Sequence, residues 1–459
     1  MISVISRSYT GKVNPLTKGK EVIVVGGGLA GLSAATALKE RGFYPMVLEA
    51  RDRLGGRVET KTLRNGQRAE AGGEFIDGQD THRNLHGLIR KYGLDLEVVR
   101  SKMHRFQKGQ LSDVKVSDSH LSSRSKQDIA RFWNATDQLA RGIHRHDPLS
   151  SPFAANLDHL SVKEWMDRLH LSKEAKDVIT EYFHYEFQDP AQVSLLFHGQ
   201  QASLYLEAKE EDTEAYRIKG GNQCLLKAMA DSLDHPPKLG QKVEKIDAAG
   251  DRIKVQYPGG TVEGDYVVVA TPLTTLKNIQ FNPPLPRAWQ EAADQIPYGQ
   301  HAKAIMSFEN PSWQSSPYYN VKTDLPMGWI WDSSRHQPGS EGTLVAYGNR
   351  PISSTDAATY KGQVHQVFPE AGNLTQMVVQ QWGQDPFSQG SFCSYAPGQM
   401  TAYWRSLRNP HGRIFLAGEH TATEFVTYME GAAESGLRAA TQISRVHGER
   451  AESRMRARL

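Results

Sequence analysis

Two rhythms of apolar and polar residues run along this chain. Val22 to Val25 is a short β-branched apolar run that breaks at Gly26, and from about Leu29 to Arg41 apolar positions recur every three to four residues. The first pattern predicts a buried strand and the second a helix. A second strand is predicted from Pro45 to Leu48. From Leu85 to about Gln188 the period is helical: Ile129, Phe132, Trp133, Leu139 and Ile143 keep the i, i+3, i+4 spacing, and Ser161 with Glu164 forms a capping box before Trp165. The stretch YRIKGGNQCLLKAMADSL opens another helix, followed by strands near Lys242 to Ile246, Ile253 to Tyr257 and Tyr266 to Ala270. Strand patterns return at Lys303 to Phe308 and Thr343 to Tyr347, and RIFLAGEH, from Arg413, is a buried strand with a helix after it from about Gly431. No internal repeat or low-complexity tract interrupts this order.

The first turn carries chemistry. Gly26, Gly28 and Gly31 form G-x-G-x-x-G between strand and helix. In that pattern the first glycine permits the tight turn, the second lets a pyrophosphate approach the backbone, and the third lets the helix pack on the strand. The second strand ends in Glu49, placed for a ribose hydroxyl pair. The run EARDRLGGRVET continues through Ala50, Arg51 and Arg53 to Gly55, Gly56 and Arg57. A second bare glycine pair followed by an arginine suits an extended diphosphate; a basic solvated turn is the plainer alternative. The expected fold class is α/β, a Rossmann-like dinucleotide-binding domain with a discontinuous substrate domain made of a mixed β-sheet and a helical insertion. The segments are expected at 20–84, 216–290 and 395–459 for the nucleotide domain, the last with the C-terminal helix, and at 85–215 (helical) and 291–394 (sheet) for the substrate domain.

Composition narrows the classes. A chain of 459 residues exceeds one compact core. The net charge of +3 argues for neither nucleic acid nor a membrane surface as partner. Two cysteines, Cys224 and Cys393, form no disulfide framework and no CxxC metal site, so a reducing, cytoplasmic location is expected. The first 20 residues read as a polar leader, and no apolar run is long enough to span a bilayer. Cys224 is expected in the core. The acidic run EAKEEDTE, 207–214, reads as a solvated loop or as a cation-gathering mouth, and the tail GERAESRMRARL as a frayed basic helix.

Four separated stretches resemble the FAD-dependent amine oxidase superfamily of monoamine, polyamine and L-amino-acid oxidases. The first is the nucleotide motif, to which the resemblance adds Leu29, Ala30 and, further on, Val243 as FAD contacts. The second, EAGGEFIDG from Glu70, resembles the segment under the flavin, with Gly72, Gly73 and Glu74 close to the ring. The third, IPYGQHAKAI, places Lys303 where the family presents a lysine to the flavin N5 through a water; a strand-edge lysine in solvent is the alternative. The fourth, LAGEHTATEFVTYMEGAAESGLRAA, resembles the closing signature: Gly418 and Glu419 near the ribityl or diphosphate end, Tyr428 facing the ring, Met429 and Ala432 at the following helix N-terminus.

The resemblance also decides the attachment of the flavin and frames the substrate. In monoamine oxidases a cysteine nine positions after a tryptophan is bonded to the ring. Here Trp382 plus nine is Ser391, the neighbouring aromatic is Phe392, and Cys393 is two places late, so non-covalent FAD is expected. Phe392 and Tyr428 would flank the amine, as catalytic residues with Lys303. Trp382, Glu74 and Asp77 are the expected substrate contacts, Asp77 matching a pocket carboxylate of polyamine oxidases; a turn role before Gly78 is the other reading. His198, Gln201 and Tyr205 share a helical face that lines the pocket or packs. The implied reaction is amine oxidation to an imine and then a carbonyl, with dioxygen reduced to hydrogen peroxide and a diamine, polyamine or other cationic amine as substrate. The alternatives are an L-amino-acid oxidase, a flavin desaturase or isomerase, and a non-catalytic FAD-binding protein. Oligomeric state stays open, a homodimer among the options.

Overall fold

In the computed structural model, which describes residues 20–99, 102–113, 121–209, 213–349, 352 and 356–456, the first strand, Glu21–Val25, lies in the middle of a four-stranded parallel sheet. Its neighbours are Tyr44–Leu48 on one side and Tyr266–Val269 on the other, with Ile414–Leu416 at the far edge. Parallel strands covered on both faces need continuous apolar runs, and this is what period two delivers. Val22 and Val24 pack with Leu32, Val268 and Phe415 on one face, while Ile23 and Val25 pack with Val267, Val269 and Leu416 on the other. Each such side chain contributes roughly 1.5–3 kcal/mol of burial. The first helix, Leu29–Glu40, is covered by the last, Met429–Arg456. Their approach requires a glycine: a Cβ on Gly436 would lie 2.2 Å from Ala30 O.

The second large sheet has seven strands, ordered Leu374–Gln381, Ala302–Phe308, Gly342–Gly348, Trp329–Asp332, Asn320–Thr323, His104–Gln107 and Gln110–Asp113. Ala302–Phe308 is buried along its whole length and antiparallel to both neighbours. Alternation sends Ala304, Met306 and Phe308 into a core with Val364 and Phe368, and turns Lys303 and Ile305 to the opposite face. Register then sets a row of side chains across three strands, Lys303 opposite Tyr347 and Tyr347 opposite Trp329.

Two expectations need correction. The stretch from Leu85 to Gln188 is not helical throughout: Leu96–Val98, His104–Gln107 and Gln110–Asp113 are strands, and His104–Gln107 pairs in parallel with Asn320–Thr323. Their short polar alternation gives no strand signal until a distant partner supplies the hydrogen bonds. Cys224 is only half-buried, its thiol donating to Gly220 O at 3.5 Å. The helical expectation holds from Ser123 onward, and the capping box at Ser161 and Glu164 forms in both directions. The leader before residue 20, residues 210–212 of the acidic run and the last three residues of the tail lie outside the described residues. Among the described residues, no helix is long and apolar enough to cross a membrane, and no cluster of three His, Cys, Asp or Glu could hold a metal ion.

Candidate active site

A cavity of about 340 Å³ runs from the first glycine turn to the face of the seven-stranded sheet that carries Lys303. Its first end is built of backbone. Gly28 bridges Gly55, and Cβ atoms on Gly28 or Gly56 would meet protein only at ordinary contact distances, 3.5 Å or more. Gly26 and Gly31 differ: a Cβ there would come within 2.9 Å of Ala270 O and 1.9 Å of Gly26 O. Gly26 and Gly31 are thus bare because the protein needs the space, while Gly28 and Gly56 leave room for a ligand. Gly31 accordingly packs behind the cavity, and Gly26, Gly28, Leu29, Ala30, Glu49, Ala50, Arg51, Gly56, Arg57 and Val243 line it. Glu49 accepts from the N–H groups of Gly27 and Arg51 at 2.6 and 2.8 Å, and burial raises its carboxyl above the usual range. Thr271 Oγ1, buried on the same wall, has no protein partner. The bare backbone, the acid at the strand end and an unpartnered hydroxyl fit a dinucleotide.

The two arginines at this end are already engaged. Arg51 grips Asp385 through both terminal nitrogens at 2.8 and 2.6 Å, and Arg57 donates to Ser391 O at 2.6 Å and Glu419 Oε1 at 3.0 Å. Glu419 in turn accepts from Thr427 N at 3.2 Å. Thr427 and Phe425 have φ of +87° and +52°, and a β-branched residue held there costs about 1–3 kcal/mol. The strained turn presents Tyr428 to the cavity just before the last helix begins at Met429. Gly418, Glu419, Met429 and Ala432 line the same wall. Met429 also covers Gly73, where a Cβ would lie 3.0 Å from Met429 Sδ.

Lys303 is buried, 6% exposed, which excludes the solvated strand-edge alternative. Its ammonium uses all three protons on protein: Glu70 O at 3.1 Å, Gly72 O at 3.0 Å and Glu74 Oε2 at 2.8 Å. It therefore pins the glycine segment, and a water on it would have to share these acceptors. Glu74, expected to offer free negative charge, lines the cavity but does not offer it: Lys303 takes one oxygen, and Arg217 and Trp331 Nε1 donate to the other at 3.3 and 3.1 Å. Trp382, expected at the substrate, also lines the cavity, anchored by donation to Ala71 O at 3.0 Å.

The second end is walled by rings: Phe75, Tyr185, Trp329, Trp331, Tyr347, Phe392 and Tyr428. Phe392 stacks on His301 at 4.5 Å, and His301 on Tyr347 at 5.2 Å. Burial pushes His301 down to about 4, so it is neutral near pH 7. Its Nε2 faces His184 O at 3.2 Å, which can only accept, so Nδ1 accepts from Ser391 Oγ at 2.8 Å. His301 was missed from the sequence, although its position two residues before Lys303, at the entry to that strand, was a usable signal. Ser391 lines the cavity and Cys393 does not; the buried thiol donates to Glu419 Oε2 at 3.3 Å, and burial pushes it well above its usual value. Neither cysteine is on the cavity wall. His198, Gln201 and Tyr205 do not line it either; His198 is packed among Phe132, Trp165 and Phe183.

Asp77 sits behind the wall. Its carboxylate accepts from Glu214 N at 2.7 Å and Tyr205 hydroxyl at 3.0 Å, with His82 Nε2 at 3.2 Å. The carboxylates that do reach the ring-walled end are Glu186 and Glu214. Neither forms an ion pair among the described residues; Lys322 acts on both from a position over the Tyr185 and Trp329 rings. Burial, then the neighbouring Glu186 and Asp77, pushes Glu214 up to about 8, and burial raises Glu186. These were missed because one closes a helix and the other ends the acidic run; no local pattern turns them inward.

Comparison with known proteins identifies the family. Residues 29–444 match the family described as flavin containing amine oxidoreductase. A flavin-containing amine oxidase of Oncorhynchus mykiss is 28% identical over 447 residues, covering 92% of this chain and 85% of its own. Pseudooxynicotine dehydrogenase of Pseudomonas sp is 27% identical over 94% of this chain and 88% of its own. A solved putrescine oxidase double mutant superposes with a TM-score of 0.83 at 25% identity, over 92% of this chain and 98% of its own. Cyclohexylamine oxidase from Brevibacterium oxydans IH-35A shares the fold, with a TM-score of 0.82 at 23% identity over 93% and 99%. The family match begins at Leu29, directly after the first glycine turn, and runs through the Lys303 strand and the Tyr428 turn, and the cavity wall holds no thiol to form a thioether: this chain belongs to the flavin-containing amine oxidoreductase family and acts on small-molecule amines with non-covalent FAD.

Proposed function

We propose that the protein oxidises an amine that carries a second positive charge, a diamine, polyamine or similar cation, with dioxygen as the final acceptor. The balance is amine, dioxygen and water giving carbonyl, released amine or ammonia, and hydrogen peroxide. The observation that carries this reading is the pair Glu186 and Glu214, two carboxylates on the ring-walled end of the cavity without an ion-pair partner. Burial holds a proton on Glu214 near neutral pH, and a cation entering among the rings drives that proton off, so it gains from both charge and ring faces. The putrescine oxidase neighbour lends support from outside the chain.

When bound, FAD supplies the two-electron acceptor for the α-C–H of the amine. The protein's part is placement. Phe392 and Tyr428 hold the reacting nitrogen as a neutral amine between their faces and exclude water. Lys303 fixes the Glu70 and Gly72 carbonyls, and its charge would stabilise a reduced flavin held beside them. An α-amino acid would need a cation for its carboxylate at the ring-walled end. The arginines on the cavity wall, Arg51 and Arg57, are both at the glycine end, Lys303 is occupied by Glu74, and Lys322, over the Tyr185 and Trp329 rings, is off the wall and faces Glu186 and Glu214. We place the reaction in the cytoplasm, on the two unbridged cysteines. The nucleotide and substrate domains are proposed at the boundaries given above.

Incubation of purified holoenzyme with diamines, polyamines, arylamines, alkylamines and L-amino acids, with peroxide as the readout, tests this. Turnover of cationic amines above alkylamines of equal length is expected. Turnover of L-amino acids alone, or of no amine, would overturn the reading.

A further inference from the structure

We propose that Asp77, behind the wall, is a positioning residue that ties the cation-recognising Glu214 to the aromatic wall at Tyr428. The inference rests on the reading above for its Glu214 arm only. Oδ1 of Asp77 accepts from Glu214 N at 2.7 Å. Glu214 has a φ of +50°, a left-handed conformation that glutamate rarely adopts. The bond to Asp77 fixes that backbone, and with it the direction of the Glu214 side chain into the cavity. A charge-assisted bond to a buried acceptor is the strong kind.

The other oxygen works through rings. Oδ2 accepts from the Tyr205 hydroxyl at 3.0 Å, and the Tyr205 ring packs beside Tyr428 with centroids 6.4 Å apart. With its hydroxyl held by the carboxylate, the Tyr205 ring is fixed in place and braces the Tyr428 ring at the amine. The Phe425 and His82 rings close the remaining sides of Tyr428, at 6.1 Å each. Asp77 is itself held at its backbone: His82 Nδ1 accepts from Asp77 N at 3.0 Å, and His86 Nε2 donates to Asp77 O at 2.8 Å. One carboxylate thus sets the two ends of the substrate, neither of which it touches. Sequence resemblance put Asp77 in the pocket; Asp77 sits one layer behind the cavity wall, which Glu214 lines.

The test uses the flavin-loaded enzyme and two variants, Asp77→Asn and Tyr205→Phe, the second of which keeps the ring packing. Flavin reduction per bound flavin is followed anaerobically with a diamine and with the alkylamine of equal length, beside flavin content and melting temperature. Asp77→Asn is expected to raise the diamine KM by about tenfold or more while the alkylamine KM changes little, since only one substrate uses Glu214. Tyr205→Phe is expected to slow reduction by both amines by about tenfold with their KM ratio unchanged. Wild-type rates and ratios in both variants overturn the proposal, as does a loss that tracks flavin content and melting temperature alone. A wild-type enzyme indifferent to the second charge sinks the functional reading and the Glu214 arm together. In that case Tyr205→Phe still decides the Tyr428 arm on the alkylamine.

Discussion

Replacing Glu214 by glutamine removes a charge and keeps the shape, and two effects of opposite sign follow. The carboxyl moves from 4.5 in the unfolded chain to about 8 in the folded one, chiefly through burial. At about 1.4 kcal/mol per pH unit, the ionised group would cost the fold close to 5 kcal/mol if nothing screened it. Glu214 is half-buried and faces an open cavity, so ~2 kcal/mol is the share expected to be felt. The folded state keeps this proton to higher pH than the unfolded state does, so stability is lost as pH rises from 4.5 towards 8. Glu214→Gln abolishes that loss: its melting temperature matches wild type near pH 5 and exceeds it at about pH 9. Catalysis moves the other way. Losing one partner of a desolvated charge pair costs about 2–5 kcal/mol; with Glu186 still present the lower figure applies, or about 30-fold in kcat/KM for a diamine. The alkylamine of equal length, with no second charge, keeps its kcat/KM. The assay is peroxide production across both substrates at pH 7.5 and 9, with thermal melts of the same samples. An unchanged diamine to alkylamine ratio, or a melting temperature that falls at high pH, would refute the reasoning.

Three further outcomes follow from the same geometry. Lys303→Met should slow flavin reduction or reoxidation by about 10²-fold or more with FAD still bound, read by stopped flow against flavin absorbance, because Glu74 keeps Arg217 and Trp331. Denaturation should release all of the flavin to the supernatant, since the wall carries Ser391 and no thiol; yellow colour on the precipitate contradicts this. Gly28→Ala should lower FAD occupancy in a chain that still folds, whereas Gly31→Ala, with its Cβ 1.9 Å from Gly26 O, should cost the fold itself; circular dichroism and flavin titration separate the two.

What could be read in the sequence is what local chemistry determines. A strand that runs into Gly26, Gly28 and Gly31 states its purpose within a few residues, and Glu49 closes it; the capping box at Ser161 is equally local. Lys303, Phe392 and Tyr428 were reached through resemblance, and all three line the cavity. The charges were not legible. Glu74 and Asp77 look free along the chain, but Arg217 and Trp331, from distant strands, occupy the first, and Tyr205 and Glu214 N the second. Glu214 looks solvated in its acidic run until the Asp77 bond turns it inward. The strands between Leu96 and Asp113 escaped for a related reason, since their partners lie at Tyr216–Ile218 and Asn320–Thr323.

The central claim is that a bound flavin receives electrons from an amine whose second charge is read by Glu186 and Glu214. Anaerobic titration of the oxidised holoenzyme with a diamine and with the alkylamine of equal length, followed as bleaching of the flavin band, addresses it directly. Complete bleaching by both is expected, with the diamine effective at far lower concentration. A flavin that stays oxidised in the presence of every amine, or one bleached equally by both at equal concentration, would contradict it.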